Sequence, residues 1–186
     1  PGWSWASTSA EPQPDGDGAR AVIEGRFKGS DAPYRYELHF RPVGRDRLRV
    51  EATFSVEKNA ELTLAALGIK PGKPLEGEGR LLVTGAESEK RLDLPRDRGN
   101  IGEAITNLRF AETSDAGLSL DFDQPTKAYW DKGLRMILTE DSAKAGETYT
   151  LAFELTLPAP GQFYLTRDSL PLPENWDDWF AWEADG

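Results

Sequence analysis

Hydrophobic and polar residues alternate strictly along several parts of this chain. The clearest run extends from Tyr149 to Leu157, where every second residue is apolar or aromatic. A period of two places successive side chains on opposite faces of a β-strand, so that one face meets a core and the other meets water. The same alternation recurs over 118–123 and 134–139. The stretch 118–157 therefore predicts three strands in a row.

Two hairpins are predicted before this stretch. The alternating runs Tyr34–Phe40 and Leu48–Val56 are joined by a short loop that contains Pro and Gly, which predicts the first hairpin. Residues 80–83 and 91–94 predict a second, shorter hairpin. We also expect a strand over Arg20–Phe27.

Two segments have patterns that fit a helix. The segment Asn59–Ile69 begins with a residue that caps helices, but we interpret it as a strand because its neighbours are strands. Within Asn100–Asn107, an Asn and a Glu three residues apart resemble a capping box. Ile101, Ile105 and Leu108 would share one face of that helix. We therefore expect one or two helical turns there.

The whole pattern predicts an all-β protein of about ten to twelve short strands separated by Gly/Pro turns. We expect a single antiparallel β-sandwich, and a barrel is the less favoured arrangement. The domain is predicted to span 20–166, after an irregular segment 1–19 and before a Trp-rich acidic tail, 167–186, that packs on the sandwich. The alternation places eight residues in the core: Tyr36, Leu38, Val50, Phe54, Leu120, Leu151, Phe153 and Leu155.

Composition narrows the classes of partner. The chain has 186 residues, which suits one domain with its own core, and it has no cysteine. Disulfides, thiolate metal sites and a cysteine nucleophile are therefore excluded. Its 32 acidic and 22 basic residues give a formal charge of −10, which argues against nucleic acid and membranes as partners. No apolar run is long enough to span a membrane as a helix.

Candidates for catalysis are few. The single histidine, His39, lies on the polar face of a regular strand, where an exposed structural residue is the simpler interpretation. The sequence has no nucleophile elbow and no phosphate-binding loop. Glycoside hydrolysis needs two carboxylates about 5 to 9.5 Å apart, which a sequence does not reveal. Tyr129 beside Lys127 and Lys132 leaves a small glycan lyase open as an alternative.

Aromatic residues give the strongest functional signal. Five of the six tryptophans lie near the chain ends, and the sixth, Trp130, follows Tyr129. An aromatic ring with polar neighbours suits a sugar, because the C–H face of the sugar stacks on the ring while its hydroxyl groups bond to nearby carboxylates and amides. The predicted ligand-binding residues are Tyr129, Trp130, Asp131, Lys127 and Gln124, and packing in the core or at its rim stays open as the alternative for Trp130.

The position of these residues in the pattern supports that prediction. The alternation stops after Pro125 and resumes only at Leu134, so the segment between them is expected to bulge or loop at the sheet edge. Neighbouring residues of an extended chain point to opposite faces, so at most one of the two adjacent rings packs inward. From the sequence alone, Trp130→Ala is expected to abolish glycan retention and to change the melting temperature by only a few degrees.

Three segments, 102–110, 134–139 and 145–151, carry a resemblance to known proteins, and the last of them reads Ala-Gly-Glu-Thr-Tyr-Thr-Leu. They resemble accessory β-sandwich modules of bacterial polysaccharide-degrading enzymes. The resemblance covers about residues 20–165 and carries over no catalytic residue. It implies a non-catalytic domain beside a glycan-active enzyme, and some such domains bind carbohydrate themselves.

The sequence thus favours a carbohydrate-binding accessory module of a bacterial glycan-degrading enzyme. Its expected partners are a polysaccharide or oligosaccharide and the catalytic domain of a parent enzyme, and its expected location is secreted, periplasmic or at the cell surface. The chain begins at Pro1 without a methionine, so we expect a processed or excised piece. We predict no cofactor. Gly16-Asp17-Gly18 after Asp15 resembles a calcium-binding loop, but the downstream acidic ligand is missing, so a flexible turn is the better interpretation. Two alternatives stay open: a structural or protein-interaction sandwich, and a small glycan lyase or hydrolase.

Overall fold

The structure is a computed structural model that describes residues 12–27, 32–69, 79–86, 88–94, 98–111 and 118–156. The strands are β1 (Gln13–Asp15), β2 (Gly18–Arg26), β3 (Pro33–Pro42), β4 (Arg47–Val56), β5 (Ala60–Ile69), β6 (Gly79–Gly85), β7 (Glu89–Leu94), β8 (Gly99–Ala111), β9 (Leu118–Trp130), β10 (Leu134–Ala143) and β11 (Thr148–Thr156). Their pairings are antiparallel, which confirms the predicted all-β antiparallel fold. No described residue is helical, so none belongs to a helix that is long and apolar enough to cross a membrane.

The strands form one continuous sheet with a side branch. The main order is β1-β2-β3-β4-β11-β9-β8-β6-β7, while β10 pairs with β9 and β5 pairs with β10. Strand β9 carries the branch because its two halves have different neighbours along one edge. Residues 119–122 pair with β11, and residues 128–130 pair with β10. Strand β9 therefore belongs to both parts of the sheet.

The ribbon formed by β8 and β9 folds back on itself. Gly99 pairs with Trp130 at one end of the ribbon, and Phe110 pairs with Leu118 at the other. A straight ribbon would hold these ends about 36 Å apart. The ring centroids of Phe110 and Trp130 are instead 6.5 Å apart. The ribbon thus joins two packed layers in a sandwich-like arrangement: a first layer that contains β1–β4 and β11, and a second layer that contains β5 and β10.

A main hydrophobic cluster and a smaller neighbouring one fill the space between the layers. The predicted core is confirmed. Five of the eight predicted residues are buried: Val50, Phe54, Leu120, Leu151 and Phe153. The other three are partly buried and pack against these clusters: Tyr36, Leu38 and Leu155. The large fully buried side chains that join them include Leu81, Ile101, Ile105, Leu108, Leu134 and Met136.

The helix predicted at Asn100–Asn107 is wrong, because these residues belong to strand β8. The pairing of β8 with β9 shifts register three times along this segment. The first two shifts each place one extra residue on β8, the third places the extra residues on β9, and shifts of this kind reset the alternation of inward and outward side chains. As a result, the buried residues Ile101, Ile105 and Leu108 follow helical spacing within a strand.

Other local predictions hold more closely. Strand β5 confirms the interpretation of 59–69 as a strand, and β6 with β7 forms the predicted second hairpin. The segment 1–19, predicted to be irregular, contains β1 and the start of β2, which pair with each other. Residues 1–11 and the tail 167–186 lie outside the described residues. The domain boundaries therefore stay a prediction.

The hydroxyl group of Tyr36 is a polar group buried in the core. It has no hydrogen-bond partner among the described residues, and its burial raises the pKa of Tyr36 far above its ordinary value. An unsatisfied buried hydroxyl costs on the order of 1 kcal/mol or more. We therefore expect Tyr36→Phe to raise the free energy of unfolding by about 1 kcal/mol, measured by urea denaturation.

A matched control for this substitution is Tyr149→Phe. The Tyr149 hydroxyl donates to Glu147 at 2.8 Å and accepts from the backbone N–H of Lys144 at 3.1 Å. Its removal is expected to lower stability slightly, because both bonds are lost. A loss of stability in Tyr36→Phe as large as in Tyr149→Phe would contradict the assignment of an unpartnered hydroxyl to Tyr36.

Candidate functional site

Strand β9 keeps its alternation beyond Pro125. Thr126, Ala128 and Trp130 are buried in the same phase as Leu120 and Phe122, and the exposed Gln124 is the one interruption of this row. The expected loss of phase before Leu134 is therefore wrong. A threonine and an alanine at inward positions hid the period, because neither stands out from a row of polar residues.

Trp130 lies in the core rather than on the surface. Its side chain is only 6% exposed and its ring packs beside that of Phe110. Of the two adjacent rings, Trp130 is thus the one that packs inward. An exposed ring at this point of β9 has to come from Tyr129, as the opposite orientation of neighbouring strand residues requires.

Tyr129 lies half-buried on the outer face of the second layer. It stands opposite Asn100 of β8 on one side and opposite Arg135 of β10 on the other. The guanidinium carbon of Arg98 lies over the ring, 5.6 Å from its centroid. The ring therefore has hydrogen-bonding side chains around it on neighbouring strands.

Lys127 belongs to the same face, two residues before Tyr129 on β9. Its Nζ donates to Oε1 of Glu140 at 2.7 Å and lies 3.4 Å from Oε1 of Glu103. The hydrogen bond with Glu140 is the main cause that raises the pKa of Lys127. The ammonium group is thus held charged between two carboxylates.

Asp131 is placed beside Tyr129 by the turn between β9 and β10. Its backbone N–H donates to the carbonyl of Gly133 at 3.0 Å, and Lys132 between them has a left-handed φ of 56°. The carboxylate of Asp131 lies 3.7 Å from Nη2 of Arg135. This contact directs Asp131 toward β10 on the side that carries Tyr129.

Gln124 is the predicted residue that the structure does not bring to the others. It precedes Tyr129 by five residues, or about 16 Å of strand. Its side chain is exposed, and its backbone carbonyl accepts a hydrogen bond from Oγ1 of Thr126 at 2.9 Å. Gln124 therefore contributes to the local shape of β9 at a distance from the ring.

Three residues beside the ring were not predicted from the sequence. The interpretation of 100–107 as a helix hid the fact that this segment pairs with β9 across the ring. With β8 assigned as a strand, Arg98 and Asn100 would have been expected on the same side. We use the name Tyr129 face for six residues: Tyr129, Arg98, Asn100, Lys127, Asp131 and Arg135.

A separate charged cluster surrounds Glu37 on the outer face of the first layer. The Glu37 carboxylate accepts a hydrogen bond from Nε of Arg20 at 2.5 Å and from Nη2 of Arg35 at 3.1 Å. Nε2 of His39 is 2.8 Å from it, and Nδ1 of His39 is 3.3 Å from Asp15. The histidine thus joins an ion-pair network that links β1, β2 and β3.

This network predicts a loss of stability in acid. The hydrogen bond from Arg20 is the main cause that lowers the pKa of Glu37 from 4.5 to about 2. A carboxyl group whose folded pKa is depressed stabilises the fold fully above its unfolded pKa, and this contribution disappears as the pH falls toward the folded pKa. Allowing for solvent screening, we expect a contribution of about 1 to 2 kcal/mol, lost between about pH 4.5 and pH 2.

Urea unfolding of the wild type and of Glu37→Gln measures this contribution. The wild type is expected to exceed the variant in stability at about pH 6, and the difference is expected to shrink at about pH 3. A difference that stays constant over this range would contradict the role of the Glu37 charge.

Metal-binding groups and the remaining tryptophans complete the description of the candidate residues. Among the residues that the structure describes, no three His, Asp or Glu side chains are close enough together to hold a metal ion. The expectation of no cofactor stays a prediction.

The other five tryptophans of the sequence lie outside the described residues.

Comparisons with known proteins assign no family. No protein-family model matches the chain, and no curated protein is similar to it at a meaningful level. One solved structure that it is similar to is a GalM/aldose epimerase homologue from C. elegans. That match has 12% sequence identity and a TM-score of 0.45, and it covers 80% of this chain and 68% of the other. A likeness of this size carries no argument about fold or function.

Proposed function

We propose that this domain is a non-catalytic carbohydrate-binding module and that the Tyr129 face is its binding site. The observation that carries the proposal is the half-buried, outward ring of Tyr129 with polar side chains on both neighbouring strands. A sugar can stack its C–H face on such a ring while its hydroxyl groups reach Asn100, Asp131 and Lys127.

The ionisable groups support binding rather than catalysis. A glycosidase needs a carboxylic acid with a raised pKa to protonate the leaving group. Among the described residues, the carboxyl pKa values that are displaced, those of Glu37 and Asp123, are lowered by hydrogen bonds from Arg20 and Arg49. Groups in this state accept hydrogen bonds and do not act as proton donors at neutral pH.

The surface also supports a polar ligand over an apolar protein partner. In the part of the chain that the structure describes, Val43 is the only exposed large hydrophobic residue. A docking surface for a protein usually has a contiguous apolar patch of several hundred Å². The described surface offers charged and hydroxyl groups instead, which suit carbohydrate.

The wider setting belongs to the same proposal. We place the domain beside the catalytic domain of a bacterial glycan-degrading enzyme, outside the cytoplasm. The support for this placement is the sequence resemblance to accessory β-sandwich modules over about residues 20–165.

Native affinity electrophoresis tests the proposal. The protein is run in gels that contain one soluble polysaccharide each, next to a reference protein that binds none, and each glycan is then assayed for new reducing ends. Retardation by at least one glycan without new reducing ends supports the proposal. New reducing ends would support the lyase or hydrolase alternative, and no retardation by any glycan would contradict carbohydrate binding.

A further inference from the structure

Arg98 differs from the other cations of the Tyr129 face in its partners. Lys127 contacts Glu140 and Glu103, and Arg135 contacts Asp131. Arg98 is exposed, and within the described part of the chain its contact is with the ring of Tyr129, without a carboxylate. The face therefore presents one guanidinium group whose charge no acidic side chain offsets there.

A guanidinium group in this position is prepared to bind an anion. Stacking on an aromatic ring restrains the side chain and leaves its edge donors free. The planar fork of donors matches the two oxygens of a carboxylate or a sulfate, with hydrogen bonds that are stronger than those between neutral groups. A sugar stacked on Tyr129 would hold an acidic substituent within reach of the Arg98 side chain.

The net charge of −10 does not prevent an anionic ligand from binding at Arg98. At physiological ionic strength, charges more than about 8 Å apart are largely screened. The charges nearest the ring therefore determine the local potential: Arg98 lies over the ring, Arg135 stands opposite Tyr129 on β10, and the carboxylate of Asp131 is paired with Arg135.

We infer that the Tyr129 face binds an acidic glycan, with the sugar ring on Tyr129 and a carboxylate or sulfate group on Arg98. This inference rests on the proposed function and specifies its ligand class. Uronic acids and sulfated sugars share the chemistry that Arg98 recognises, and the probes below separate them.

The test compares each acidic polymer with a neutral polymer of the same backbone. Polygalacturonate is paired with fully methyl-esterified pectin, and dextran sulfate is paired with dextran. Affinity electrophoresis gives a dissociation constant for each. The wild type is expected to bind at least one acidic polymer about tenfold more tightly than its neutral partner, and the preference is expected to decrease as salt is added.

Variants at Arg98 separate charge from packing. Arg98→Gln keeps a planar polar group but removes the charge, so it is expected to lose the tenfold preference, because binding of the acidic polymer falls more than binding of its neutral partner. Arg98→Lys keeps the charge and is expected to retain part of the preference. Arg45→Gln, in the connection between β3 and β4, removes the same charge elsewhere and is expected to match the wild type.

The outcomes distinguish the two proposals. Equal binding of acidic and neutral partners, with Arg98→Gln unchanged, would overturn the acidic ligand and leave carbohydrate binding intact. If Arg98→Gln weakened binding of the acidic and the neutral polymer equally, Arg98 would only support the ring, which also overturns the inference. If Arg45→Gln lost the preference as fully as Arg98→Gln, the preference would follow from net charge alone, and the inference would be overturned. No binding of any polymer would overturn both proposals.

Discussion

Replacing Trp130 by alanine is expected to destabilise the domain by about 3 to 5 kcal/mol. The side chain is 6% exposed and packs in the main cluster, where it meets Phe110 from the far end of the β8–β9 ribbon. Its removal would leave a cavity in that cluster, where the two ends of the ribbon meet. Urea denaturation measures the effect. A loss of this size is a large part of the stability of a typical domain.

Trp130→Phe provides the control for this substitution. It keeps an aromatic ring in the same place and is expected to cost clearly less than the alanine variant. The sequence alone predicted the reverse for Trp130→Ala, namely lost glycan retention with a nearly unchanged melting temperature. That reverse result would show that the indole is not a core residue, and it would contradict the packing of Trp130 against Phe110.

Tyr129→Ala is expected to weaken glycan binding by about ten- to two-hundredfold while the protein stays folded. Base stacking on an aromatic ring is worth on the order of 1 to 3 kcal/mol, and we take a stacked sugar to be comparable. The ring is half-buried on the outer face, so its loss is expected to change the free energy of unfolding by about 1 kcal/mol or less. Affinity electrophoresis of a retarding glycan, with urea unfolding of the same sample, measures both quantities.

Tyr129→Phe serves as the matched control for binding. It keeps the ring and removes only the hydroxyl group, so binding is expected to stay within a fewfold of the wild type. Binding that survives in Tyr129→Ala would move the site away from the Tyr129 face. An equal loss in the alanine and phenylalanine variants would assign the interaction to the hydroxyl group, which would contradict stacking.

The strands could be predicted from sequence wherever one face is uniformly apolar. In β4 and β11, every inward position carries a large apolar or aromatic side chain or alanine, so the period of two is visible. The register between these strands, such as Phe153 opposite Val50, then follows from packing one apolar row against another. Local alternation was enough for this part of the fold.

Prediction failed where the sheet bends between its layers. At β8, three register shifts gave the buried residues a helical spacing, and at β9 the inward Thr126 and Ala128 concealed the strand. Both errors have one cause: the ribbon has to curve, and bulges and small residues provide that curvature. Curvature depends on contacts across the fold that a local pattern does not contain.

The same limit applied to the candidate site. The sequence identified Tyr129, Asp131 and Lys127 because they are neighbours along the chain. It missed Arg98, Asn100 and Arg135, because these residues reach the ring only through strand pairing. Gln124 was included for its nearness in sequence, but the extended chain carries it away from the ring.

The central claim is that the Tyr129 face binds sugar, and an NMR titration tests it most directly. The ¹⁵N-labelled protein is titrated with xylotetraose, cellotetraose and tetragalacturonate, one at a time, and amide shifts are mapped on the strands. We predict shifts concentrated at 98–102, 127–131 and 134–136 with at least one of these sugars, and unchanged amides around Glu37 on β3. Shifts that centre on β3, or no shift with any of the three sugars, would contradict the account.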